Sequence, residues 1–111
     1  MRYMMFVCTD SDPDRQPEAP GEIETWVVDL EKSGQRIDGD RLRPKKDART
    51  VRVRKGKVLV VDGPFTESKE VIVGFDILDC GSMDEAIQIA AKHPMARVGR
   101  LELREFWPFE G

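Results

Sequence analysis

Histidine occurs once in this chain and cysteine twice. No apolar run approaches the roughly 20 residues that span a bilayer. Each scarcity removes a class of function. One histidine (His93) and two distant cysteines (Cys8 and Cys80) make no recognisable metal-ligand set, so no metal is expected. There is no nucleophile elbow, phosphate loop or dinucleotide fingerprint, and therefore no implied cofactor. The apolar start, residues 1–8, stops at Thr9-Asp10, too early for a signal-peptide core. No membrane association is expected. Both cysteines fall in apolar strand-like stretches, where a thiol behaves as a small buried hydrophobe, so a cytoplasmic protein with reduced thiols is expected.

What is present is one domain's worth of chain, residues 1–111, with 40% hydrophobic and 35% charged residues. The net charge of −3 is unevenly spread. Residues 41–57 hold nine Lys or Arg and one acid, Asp47, so that stretch carries +8. Such a stretch suits docking to an anionic partner, or simply coats an exposed hairpin against edge-to-edge pairing. No aromatic residue interleaves the basic ones, so direct nucleic-acid binding is not expected.

Residues 2–8 read as a strand with Tyr3, Met5 and Val7 on one face and Met4, Phe6 and Cys8 on the other, a central strand covered on both sides. The prolines at 13, 17 and 20 mark a loop, with Pro20 suited to a first helical turn. Ile23, Trp26, Val27 and Leu30 then give one apolar helical face, with Gly34 as a left-handed stop. A short strand weakened by Gly39 follows within 35–42. Residues 50–54 and 57–61 flank Lys55-Gly56 as a hairpin, Val51 and Val53 alternating with Arg52 and Arg54 to leave one wet face. Residues 71–80 make the longest strand, where Gly74 signals a bulge or close backbone approach. Ser82-Met83-Asp84-Glu85 is a capping box. It opens a helix striped by Met83, Ala86, Ile87, Ala90 and Ala91 and ended at His93 by Pro94. Residues 98–106 form the last strand, with Leu101 and Leu103 on one face and Arg100, Glu102 and Arg104 on the other.

This order predicts an α+β, ferredoxin-like β-α-β-β-α-β sheet with an added β-hairpin and both helices on one face. The first strand is apolar on both faces, so the open face needs a cover. A second copy is the economical one, giving a homodimer packed through its sheet faces.

The most specific run in the chain is Asp62-Gly63-Pro64-Phe65, followed by Lys69-Glu70 and Gly74-Phe75. With Gly39-Asp40-Arg41-Leu42, Asp84-Glu85-Ala86, His93-Pro94 and Leu101-Glu102-Leu103-Arg104 in order, the chain resembles the YCII-related superfamily, in its DGPF-domain branch. The resemblance implies a dimeric α+β barrel. Members of the wider superfamily have been proposed to use a His-Asp pair in a cleft, and one relative is a dehydrochlorinase of chlorinated hydroxyquinols. The histidine of that pair lies near the start of the first helix; residues 18–26 here contain none, so the pair is not carried over. DGPF proteins are commonly encoded beside extracytoplasmic-function sigma factors, an association that implies a regulatory or accessory role.

Two functions follow as expectations. The first is a small-molecule lyase-like or isomerase-like enzyme, or a binder, using a polar cleft in the homodimer. The second is an interaction module that docks a sigma-factor-type regulator through the basic hairpin of 41–57. For the first, Asp62 and Glu102 are the catalytic candidates for acid–base work. Lys69, Glu70, Arg104 and Asp76 are the candidates for holding a small anionic ligand. Each has a structural alternative. Asp62 can accept backbone N–H bonds in its own turn. Lys69 and Glu70 can be an exposed pair. Glu102, Arg104 and Asp76, the last on the face of Gly74, can pair across the dimer. His93, ahead of Pro94, reads as a helix C-terminal cap.

Overall fold

The structure, a computed structural model, describes residues 1–14, 19–64 and 70–109. In chain order it contains β1 (Arg2–Thr9), α1 (Glu22–Lys32), β2 (Arg36–Arg41), a 3-10 turn at Lys45–Asp47, β3 (Arg49–Arg54) and β4 (Lys57–Asp62). Then come β5 (Ile72–Asp79), α2 (Met83–Ala91), the single-turn α3 (Met95–Val98) and β6 (Gly99–Glu105). Four strands form an antiparallel sheet in the order β2-β5-β1-β6, and β3 and β4 pair separately as a hairpin. The architecture is α+β and compatible with a ferredoxin-like fold. No helix among the described residues is long and apolar enough to cross a membrane.

The strand alternation read from the sequence sorts the core. Tyr3, Met5 and Val7 of β1 and Leu78 of β5 are buried against Trp26 and Leu30 of α1 and Ala86, Ile89 and Ala90 of α2. Both longer helices therefore cover one face of the sheet. Full burial of a side chain such as Met5 or Leu78 contributes about 1.5–3 kcal/mol. Trp26 is anchored as well as packed: its indole Nε1–H donates to the Ile89 carbonyl at 2.9 Å. The opposite face carries Met4 and Phe6, in register with Ile77 and Phe75 on one side and with Arg104 and Glu102 on the other.

Local signals hold at α1 and shift at α2. Gly34 is left-handed at φ 78°, closing α1 through the bond from Gln35 N–H to the Leu30 carbonyl at 2.9 Å. Pro20 precedes the helix rather than starting it, because Gly21 is the N-cap. Ser82 caps α2 by accepting from Glu85 N–H at 3.1 Å, while the Glu85 carboxylate accepts from Gly81 N–H at 2.9 Å. The buried stripe of α2 runs through Ala86, Ile89 and Ala90, and Ile87 is exposed. Ile89 takes the inner position, and its carbonyl meets the Trp26 indole. The short α3 has no counterpart in the sequence reading, which sees Pro94 only as a terminator although Pro94 itself begins the next turn.

The hairpin departs from expectation. Lys55 and Gly56 both take positive φ, the turn that matches strand twist. Val51 pairs with Val60 and Val53 with Val58, so these four share a face. That face is 57–67% exposed. The second face is also largely wet, with Leu59 37% and Val61 44% exposed.

Candidate functional site

The residues singled out from the sequence fall in separate places. Asp62 ends β4 with its side chain 85% exposed and pairs with Arg49 across the hairpin at 3.1 Å. Glu70 is ion-paired to Arg100 and accepts from the Ser11 hydroxyl at 3.3 Å. It also borders a hollow of about 470 Å³ at the hairpin root, between Leu42, Lys45 and Pro64. Glu102 and Arg104 are exposed on β6, with their charged groups 4.0 Å apart. They lie on the sheet face of Phe6 and Met4, away from the helices. Lys69 lies outside the described residues.

Asp76 stands on the other side of the sheet. It is opposite Met5 in the ladder and 6% exposed. The prediction that it shares the face of Gly74 holds. Within one chain it does not meet Glu102 and Arg104, because β6 pairs them with Phe6 and Met4 on the opposite face. Asp76 instead accepts from Arg36 Nε at 2.8 Å, and Arg36 also reaches Glu31 at 3.1 Å. Gly39 makes this pair possible. A Cβ there would overlap the Asp76 carboxylate and lie 2.6 Å from the Phe75 carbonyl. The weakness that Gly39 brings to β2 is thus the room for an ion pair. Gly74 plays a related part: its Cβ would sit 3.0 Å from the Asp40 carbonyl of the neighbouring strand.

Asp76 lines a cleft of about 540 Å³ between α1, α3 and the β2–β5 edge of the sheet. Its walls are mostly apolar, with Val7, Ile23, Val27, Leu42 and Val73 among them. The residues with polar side chains that border it are Arg36, Asp40, Arg41, Asp76 and His93. Burial raises the Asp76 carboxyl above the usual carboxylate range, and Arg36 offsets this only in part.

His93 is a cleft residue that sequence reasoning assigned elsewhere. It is 5% exposed, and its ring meets Trp26 edge-on at 4.7 Å. Burial lowers its pKa to about 4, with Glu22 pulling weakly the other way. The imidazole is therefore neutral near pH 7 and does not act as a cationic cap on α2. Its Nδ1 accepts from Met95 N–H at 2.9 Å, which leaves the ring proton on Nε2. The signal that could have found this role is the His-Pro pair itself, which begins a second helical turn and so folds the imidazole inward. The wall it belongs to is braced by Arg97 of α3, which grips both carboxylate oxygens of Glu22 in α1 at 2.7 and 2.8 Å. That fork lowers the Glu22 pKa to about 2. Among the described residues no group of three or more His, Cys, Asp and Glu side chains is placed to hold a metal ion.

A neutral imidazole and a carboxyl pushed toward protonation, in one apolar cleft, can hold and move a proton between them and a bound molecule. Comparison with known proteins gives the chain its relatives. The family model described as the YCII-related domain matches residues 1–110. An uncharacterised protein of Rhizobium meliloti (strain 1021) is 48% identical over 50 residues, which is 45% of this chain and 40% of that protein. The aligned stretch thus spans less than half of that relative.

Proposed function

The chain belongs to the YCII-related domain family, and from that premise we propose that it binds a small anionic molecule and performs acid–base chemistry on it in the Asp76 cleft. The observation that carries this reading is Asp76 itself, a carboxyl 6% exposed, fixed by Arg36 and open to a cleft shared with neutral His93. Asp76 serves as the base and His93 Nε2–H as a hydrogen-bond donor to charge developing on the substrate, the pairing that lyase- and isomerase-like proton abstraction requires. We place the chain in the DGPF branch on its Asp62-Gly63-Pro64-Phe65 run. The partner copy packs on the Phe6 face, where Met4, Phe6, Phe75 and Ile77 stay partly exposed. Glu102 and Arg104 then border that interface, and Asp62 and Glu70 flank the hairpin root.

Native mass spectrometry of freshly isolated protein tests this. A dimer carrying a small-molecule adduct is expected, with the adduct lost in Asp76→Asn while the circular dichroism spectrum is unchanged. A bare wild-type chain, or an adduct that the variant retains, counts against the reading.

A second reading has its own observation, the exposed valine face of the β3–β4 hairpin with Arg52, Arg54 and Lys57 on its reverse face. A hairpin with an apolar face and a basic reverse face suits an acidic protein surface, and a sigma-factor-type regulator is the proposed partner. Binding then weakens steeply with salt and with charge reversal at Arg52 and Arg54. Salt-independent behaviour sinks it.

A further inference from the structure

The charge balance of the Asp76 cleft bears on what enters it, an inference that rests on the site reading above. Five residues with polar side chains border it: Arg36, Asp40, Arg41, Asp76 and His93. Arg36 is held between Asp76 and Glu31, Asp76 is held by Arg36, and the His93 ring is neutral. Arg41 is different. It pairs with Gly74 in the ladder, so it points to the helix side of the sheet. Among the described residues its guanidinium makes no ion pair or side-chain hydrogen bond.

The nearest acid in sequence does not neutralise it. Asp40 pairs with Phe75, so strand alternation turns its carboxylate to the other face, and that carboxylate accepts from the Arg41 backbone N–H at 3.1 Å. Across the ladder, Gly74 offers only backbone, so no β5 side chain stands between Arg41 and the cleft floor. Arg36 is matched by Asp76 and Glu31, whereas the Arg41 guanidinium stands at the cleft without a carboxylate partner among the described residues.

We infer that the ligand is a monoanion with an apolar body, its carboxylate gripped by the Arg41 fork and its hydrophobic part lying against Ile23, Val27 and Val73. A guanidinium matches a carboxylate through two parallel N–H bonds, and Arg41, exposed at the cleft rim, is free to make both. A volume of about 540 Å³ suits one compact molecule of this kind. Cations meet two arginines, and polyanions meet one uncommitted guanidinium together with the Asp76 carboxylate.

The test uses three probes of one shape: 2-naphthoate, 2-naphthalenemethanol and 2-naphthylmethylamine, titrated into the wild-type protein and followed by 1H–15N correlation spectra. Naphthoate is expected to bind about tenfold or more tightly than the alcohol, the worth of a charge-assisted pair. Its shifts should centre on the amides of Leu42, Val73 and His93. In Arg41→Gln the acid and the alcohol should bind within about twofold of each other. Arg41→Lys should keep part of the preference, since the charge remains and the fork is lost. The inference is overturned if the alcohol or the amine matches the acid in wild type, if Arg41→Gln keeps the preference, or if no probe shifts the cleft amides. The Asp76 reading does not fall with it, because the adduct comparison with Asp76→Asn judges it separately.

Discussion

Acidification from pH 7 to pH 5 should destabilise this protein through one side chain, His93. A histidine takes up a proton near pH 6.5 when the chain is unfolded, whereas the folded state withholds protonation until about pH 4. Between those values the unfolded state binds more protons than the folded one, so stability is full above pH 6.5 and drains as the pH falls. From pH 7 to pH 5 the loss amounts to about 2 kcal/mol, and complete acidification through pH 4 brings it to about 3 kcal/mol. The other shifted carboxyls do not mimic this. Glu22, held near 2 by Arg97, gives up its contribution only below its ordinary 4.5. Asp76, raised by burial, works in the opposite direction, since the folded chain accepts that proton more readily. The comparison variant is His93→Asn, whose Oδ1 can replace Nδ1 as acceptor for Met95 N–H. Urea unfolding curves at pH 7, 6 and 5 should show a slope of about 1 kcal/mol per pH unit in wild type that is absent from the variant. Parallel pH dependences would refute the buried neutral imidazole, whatever the variant's overall stability.

Two further outcomes test the packing. Gly39→Ala places a methyl into the Asp76 carboxylate and the Phe75 carbonyl, so it should cost about 1–3 kcal/mol in urea titration. An unchanged midpoint would mean that the strands are not so close. Ser82→Ala removes the acceptor for Glu85 N–H and should lower stability by about 1 kcal/mol, whereas Ser82→Asp should restore it.

The fold was legible wherever a periodicity met a single burial surface. The β1 pattern separated Tyr3, Met5 and Val7 from Met4 and Phe6 correctly, because alternate side chains must point to opposite faces. The face of α2 was less legible: Ile87 and Ile89 are equally apolar, and only packing against residues distant in the chain, such as Trp26 and Leu30, separates them. The hairpin valines looked like a buried face because nothing in an alternating pattern says whether another layer reaches it. At the site, Asp76 was read onto the correct face of its strand, but its partner Arg36 comes from a strand pairing that local sequence does not encode. Arg41 and His93 were hidden for the same reason. Their surroundings are made by residues distant in the chain, such as Trp26 for His93 and Gly74 for Arg41.

The edge-on meeting of Trp26 and His93 makes the protein its own optical reporter. The chain has two tryptophans, and they sit in opposite settings: Trp26 is buried beside the imidazole, and Trp107 is almost wholly in solvent. Their emission separates by environment, the solvated indole at longer wavelength. A protonated or displaced His93 therefore alters the blue component and leaves the red one as an internal reference. Occupancy of the cleft and the charge of its imidazole can be followed without attaching any label.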